Sequence, residues 1–318
     1  KVLEPISEGP GNPTEAVGIW VSGFFGSGKS SFAKNLGYIL ANRELLGTPA
    51  SDLFIQQLYK QSPGDPKVSQ IEDRLKYINA RFSSHVIMFD VRVDRAVRRE
   101  NVSIAEILYS VLLRELDYAQ DYDVADLEIE LEGEGRLGDF VALCAQLFGG
   151  DVNLRPQNEP VPVTLKGVSD EAYAVWRVVR IGAQKIQRTS AVMNKLKPEI
   201  YPTPDSWGQS LKTQADITIR TLVDRTFELS ARRKPGHTII FVIDEVGQYV
   251  ARSVEKIDNL RAVVEHFGQE GKNRVLKGQA IAPVWIVVTS QEKLEEVVSA
   301  IGDKRVQLAM LQDRFRYR

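Results

Sequence analysis

The stretch Gly23-Phe24-Phe25-Gly26-Ser27-Gly28-Lys29-Ser30 restricts the fold more than any other part of the chain. Its glycines allow successive backbone N–H groups to turn inward on an anion, while Lys29 supplies a cation and Ser30 a hydroxyl. Ala16-Val17-Gly18-Ile19-Trp20-Val21-Ser22 before it is a short apolar run with the character of a buried strand. After it, Phe32, Leu36, Ile39 and Leu40 recur at helical spacing. Strand, glycine turn and helix in that order bring a helix N-terminus, with its partial positive charge, against phosphates. The sequence predicts ATP as the ligand. Gly23, Phe24, Phe25, Gly26, Ser27, Gly28, Lys29, Ser30 and Ser31 form the expected binding loop, with Lys29 on the β- and γ-phosphate oxygens.

Far downstream, Ile239-Ile240-Phe241-Val242-Ile243 runs straight into Asp244-Glu245. A carboxylate at such a strand end can hold Mg²⁺ through water while Ser30 binds the same ion through its hydroxyl. Glu245, next in the chain, is suited to polarise an attacking water. Catalysis is therefore expected from Lys29 and Glu245, with Mg²⁺ held by Ser30 and Asp244.

Composition narrows the alternatives. At 318 residues and 43% apolar composition, the chain can bury one large core or a core with a subdomain. A formal net charge of −1 excludes a broadly basic coat for nucleic acid, although a local groove for DNA stays open. Cys144 is the single cysteine, which fits a reducing, cytoplasmic setting without intrachain disulfides. His85, His237 and His266 lack metal-ligand spacing, and His85 and His237 read as structural. No apolar run reaches membrane-spanning length.

Strands and helices alternate, and the strands are continuous apolar runs. This predicts an α/β fold with a parallel sheet, which with the glycine loop makes a P-loop NTPase with a large, mostly helical insertion between the two nucleotide-binding motifs. Residues 1–14 read as a lead-in, 15–116 as the first part of the core, 117–234 as the insertion and 235–318 as the second part of the core. Ser103 with Glu106 predicts a capping box. Residues 171–197 and 207–230 read as two long amphipathic helices, and the helix bearing Ile257, Leu260, Val263 and Phe267 is expected to end near Gly268. The chain is expected to be part of a longer polypeptide.

Val284-Trp285-Ile286-Val287-Val288 predicts a last strand that ends in Thr289-Ser290-Gln291. Beside the Asp244 strand, one of these would sense the γ-phosphate, with Ser290 and Gln291 taken as catalytic. Arg314, and after it Arg316, suit the charge that develops on a transferring phosphoryl group. The arginines Arg92, Arg95, Arg98 and Arg99, without interleaved aromatics, read as a solvated face, as does the acidic run in residues 121–134.

The strings Trp20-Val21-Ser22-Gly23-Phe24-Phe25-Gly26-Ser27-Gly28-Lys29-Ser30, Phe241-Val242-Ile243-Asp244-Glu245-Val246-Gly247-Gln248-Tyr249, Trp285-Ile286-Val287-Val288-Thr289-Ser290-Gln291 and Leu311-Gln312-Asp313-Arg314-Phe315 occur in that order. Together they resemble the large BREX-system P-loop ATPases and their relatives in Pgl-type phage-growth-limitation systems. Phe24 and Phe25 are the most identifying residues, and Ser31 departs from the histidine that the family often carries there. The resemblance, and it alone, implies an AAA+- or ASCE-like ATPase module in bacterial defence against phage. It also implies a homo-oligomer in which Arg314 acts on a neighbouring subunit's nucleotide, and partners among the other BREX or Pgl proteins. The function expected is an ATP-driven motor or switch. The alternatives are a nucleotide-gated scaffold with little turnover and, last, a phosphoryl-transfer kinase.

Overall fold

A computed structural model describes residues 1–24, 26–91, 102–152, 161–162, 165, 167–212, 217–250, 253–299 and 311–316. Phe25 and the basic cluster of Arg92, Arg95, Arg98 and Arg99 lie outside the described residues. The chain divides into two compact units, one of residues 1–109 with 217–318 and one of residues 110–216.

The first unit is built on a four-stranded parallel sheet of β1 (Gly18–Ser22), β4 (Ser83–Asp90), β5 (His237–Asp244) and β6 (Trp285–Ser290). The order is β1-β6-β5-β4, so the last strand in sequence sits between the first and the one that ends at Asp244. Each strand is largely buried, as parallel strands covered by helices must be. In chain order the helices begin with α1 (Leu3–Glu8) and α2 (Lys29–Ala41). A two-stranded hairpin, β2 (Glu44–Leu45) and β3 (Thr48–Pro49), leads to α3 (Ala50–Gln61) and α4 (Pro66–Arg81). The lead-in is thus not wholly irregular: α1 buries Pro5, Ile6 and Ser7 and packs on α4. Asp65 caps α4 by accepting from Lys67 N at 2.9 Å, with Pro66 at the first helical position.

Helix α5 (Ile104–Glu115) starts on the expected capping box. Ser103 Oγ accepts from Glu106 N at 3.2 Å, and the Glu106 carboxylate accepts from Ser103 N at 3.1 Å. The second unit then holds α6 (Tyr122–Gly133), α7 (Leu137–Phe148), α8 (Asp170–Val179), α9 (Lys185–Leu196) and α10 (Ser206–Ser210). Its core includes an edge-to-face pair of Phe140 and Trp176 with ring centroids 4.8 Å apart. Cys144 is buried there, and burial pushes its thiol pKa up to about 12, which leaves it unreactive.

Two expected helices are each broken. The stretch 171–197 divides into α8 and α9 at Arg180-Ile181-Gly182, and 207–230 divides into α10 and α11 (Ile219–Arg233). The outer boundaries of the helical unit fall at 110 and 216 rather than 117 and 234. The later boundary shifts because α11 packs on β5 and on α13 (Val254–Leu276) of the first unit. Between them, α12 (Val246–Val250) follows β5, and α14 (Leu294–Ser299) follows β6.

Helix α13 does not end near Gly268. It runs on to Leu276, because the missing side chain at Gly268 admits another segment: a Cβ there would overlap the Glu15 carbonyl and lie 2.7 Å from its carbon. The glycine marks close packing, not a stop.

The acidic run is not simply a solvated face. Glu128 on α6 is 1% exposed and accepts from Trp176 Nε1 and Ala119 N, each at 2.6 Å, and from Arg180 Nη1 at 2.9 Å. Asp117 binds Arg177 Nη2 at 2.5 Å and also pairs with Arg180. Burial alone would raise the Asp117 pKa, but the two guanidiniums outweigh it and hold the carboxyl below its ordinary range.

Candidate functional site at the strand ends

The loop after β1 is shaped by two left-handed glycines, Gly26 (φ 79°) and Gly28 (φ 85°). A Cβ at either would meet nothing within 4 Å, so the left-handed backbone, not crowding, is what calls for glycine there. Gly28 occupies the N-cap of α2, no side chain caps that terminus, and no acidic residue sits in its first turn. The helix end therefore presents its orphan N–H groups and partial positive charge to an incoming anion. Gly23 is constrained from the other side: a Cβ would lie 2.7 Å from Ser27 Oγ.

Lys29 is the first residue of α2 and is 8% exposed. Its side chain arches back over the loop, and Nζ donates to the Phe24 carbonyl at 2.9 Å. The ammonium is thus held inside the loop's curve, where it can exchange that carbonyl for a phosphate oxygen. Ser30 is half-buried beside it, while Ser31 faces outward. Phe24 projects into solvent at 86% exposure.

Topology joins this loop to the second motif. Gly23 N donates to the Ser290 carbonyl at 3.2 Å, which ties the start of the loop to the end of β6. On the other side of β6, Ile243 of β5 pairs with Val288, so Asp244 and Glu245 emerge beside Thr289. The Thr289 hydroxyl donates to Asp244 Oδ1 and accepts from Glu245 N at 3.1 Å. Glu245 itself is 6% exposed and has a left-handed backbone, φ 61°. Such a conformation in a residue with a side chain costs about 1–3 kcal/mol and needs local support. Gln291 Nε2 lies 3.3 Å from both carboxylate oxygens of Glu245 and donates to them.

Of the three polar residues that end β6, Thr289 and Gln291 therefore touch the Asp244–Glu245 pair. Ser290 does not: it is fully buried, accepts from Glu292 N at 3.1 Å, and abuts Gly247, whose added Cβ would lie 2.9 Å from Ser290 Cβ. The arginines are elsewhere in the chain's own structure. The Arg314 carbonyl lies against Gly18, at the start of β1 and so at the opposite end of that strand from the loop. Its guanidinium is 19% exposed and binds Glu265 at 2.8 Å and Glu15 at 3.9 Å. Arg316 is 60% exposed and pairs with Asp313 at 2.7 Å.

Two residues were missed by sequence reasoning. Asp90 ends β4 in register with Asp244 and adds a carboxylate at the same level of the sheet. Its signal was available, since it follows an apolar strand just as Asp244 does. Gly247 is the other, and nothing in sequence spacing shows that a side chain there would strike β6.

The residue types fit a Mg²⁺–polyphosphate. Mg²⁺ keeps several waters and takes one or two carboxylates with phosphate oxygens, which Asp244 and Ser30 could supply without a dedicated cage. A scan against protein-family models finds no match, and a search of solved structures finds none either. The established class is an α/β fold with a four-stranded parallel sheet. Among the described residues no helix is long and apolar enough to cross a membrane.

Proposed function

We propose that this chain is an ATP-binding and ATP-hydrolysing P-loop domain of the AAA+-like type, working as an oligomeric motor or switch. The observation that carries the reading is that an anion-ready glycine loop and an Asp-Glu pair both stand at the C-terminal ends of parallel strands, β1 and β5, that flank β6. Ligands of open α/β sheets bind at that end. In this reading Gly23–Ser30 cradle the phosphates through backbone N–H groups, and Lys29 leaves the Phe24 carbonyl for a β- or γ-phosphate oxygen. Ser30 and Asp244 would hold Mg²⁺, which would supply charge neutralisation when bound. Glu245 accepts a proton from, and orients, the attacking water. The buried position of its carboxylate, steadied by Gln291, limits competing hydration.

Membership of the BREX or Pgl ATPases, a bacterial anti-phage role, defence partners and a cytoplasmic location belong to the same proposal and rest on the motif strings. A trans-acting arginine is part of it too. Arg316 is the more exposed of the two, and both are paired within the chain, Arg314 with Glu265 and Glu15 and Arg316 with Asp313.

Calorimetric titration with Mg-ATP tests the binding step. Lys29→Ala removes a charged hydrogen bond of about 1.5–3 kcal/mol, so affinity should fall roughly 10- to 100-fold. Equal affinity in the variant and the parent chain would remove the loop from nucleotide binding.

A further inference from the structure

We infer that Thr289 is a positioning residue that locks Asp244 and Glu245 into one unit, and that it is not a donor to the γ-phosphate. The inference rests on the assignment of those two carboxylates in the proposed function, but its chemistry comes from hydrogen-bond roles alone. A carboxylate only accepts and a backbone N–H only donates. Between Asp244 Oδ1 and Glu245 N, the direction of both bonds to the hydroxyl is therefore fixed. The single Thr289 proton is committed to Asp244, and the side chain is 0% exposed. What remains is a lone pair, which a phosphate oxygen cannot use.

The same hydroxyl supports the left-handed backbone at Glu245, whose amide would otherwise be buried without this acceptor. Thr289 thus fixes where the Glu245 side chain leaves the strand, while Gln291 holds its far end. A charge placed on Asp244 is felt at the Glu245 amide through one oxygen atom.

The test compares Thr289→Val, which keeps the shape and loses the hydroxyl, with Thr289→Ser, which keeps the hydroxyl. Amide hydrogen exchange at Glu245 in the nucleotide-free chain reports the lock directly. Exchange should quicken roughly 10-fold in the valine variant, the equivalent of one lost hydrogen bond, and stay near the parent rate in the serine variant. With Mg-ATP, the valine variant should lose about 10- to 100-fold in kcat, as for other residues that orient metal-site groups, at unchanged nucleotide affinity. Thr289→Ala serves the same comparison should the valine variant unfold. Unchanged Glu245 exchange in the hydroxyl-free variants would overturn the inference, and so would a loss of affinity as large as the loss of turnover. If the parent chain neither binds nor hydrolyses ATP, the proposed function falls, and the exchange rates alone decide the role of Thr289.

Discussion

One glycine beside the carboxylate pair fixes a distance that a side chain could not tolerate. At Gly247, a methyl group would overlap Ser290 Oγ and crowd its Cβ at 2.9 Å, in the segment that sets Glu245. Gly247→Ala should therefore destabilise the chain by about 1–3 kcal/mol, read as a lower urea midpoint. An unchanged midpoint would show that α12 can move off β6 without loss. His85 offers a second residue-scale test. Burial first, then the charges of Lys234, His237 and Arg43, lower its pKa from 6.5 to about 4. The folded state holds the ring neutral, so His85 contributes stability that is present above pH 6.5 and lost as pH falls towards 4. Urea midpoints measured across that window should drop less steeply in His85→Gln than in the parent chain. Parallel curves would exclude the ring as the titrating group.

Helices in this chain are set as much by partners across the fold as by their own periodicity. The glycine loop, α2, the capping box of α5 and the apolar strands were legible because each is a local pattern with a local cause. The breaks between α8 and α9, and between α10 and α11, were not, since no proline marks either of them. Gly268 misled in the opposite sense: a helix-stop residue and a close-packing residue look alike until Glu15 is seen against it. The acidic segment around α6 shows the limit most clearly. A run of carboxylates reads as solvated, yet Glu128 is buried because Arg180, Trp176 and the Ala119 amide meet it from distant positions. Glu128→Ala would leave Arg180 without one of its two carboxylate partners and the Trp176 N–H without its acceptor. Removing one member of a buried ion pair costs about 3–5 kcal/mol, so the 110–216 unit should lose its cooperative melting transition or melt far earlier. A transition at the parent temperature would contradict a structural role for the network.

Across the first unit, two parts of one proposed site lie on opposite sides of a long insertion in sequence and on strands that flank β6 in the sheet. Placing β6 between β1 and β5 is what lets Ser290 hold the loop while Thr289 holds the Asp244–Glu245 pair. Sequence spacing alone showed that these parts exist; which of Thr289, Ser290 and Gln291 touches the carboxylates depends on the direction of side chains at the end of β6. The arginines belong to this scale as well. If Arg316 completes a neighbour's site, the specific ATPase rate should rise with protein concentration, and Arg316→Ala should abolish that rise while Arg314→Ala, which removes only the ion pairs with Glu265 and Glu15, should keep it. The most direct measurement is Mg-ATP hydrolysis and ATP binding on the same sample of Glu245→Gln. Losing the carboxylate that orients water should lower turnover on the order of 10²–10⁴-fold, while ATP still binds with the affinity of the parent chain. Turnover equal to that of the parent chain would contradict the account.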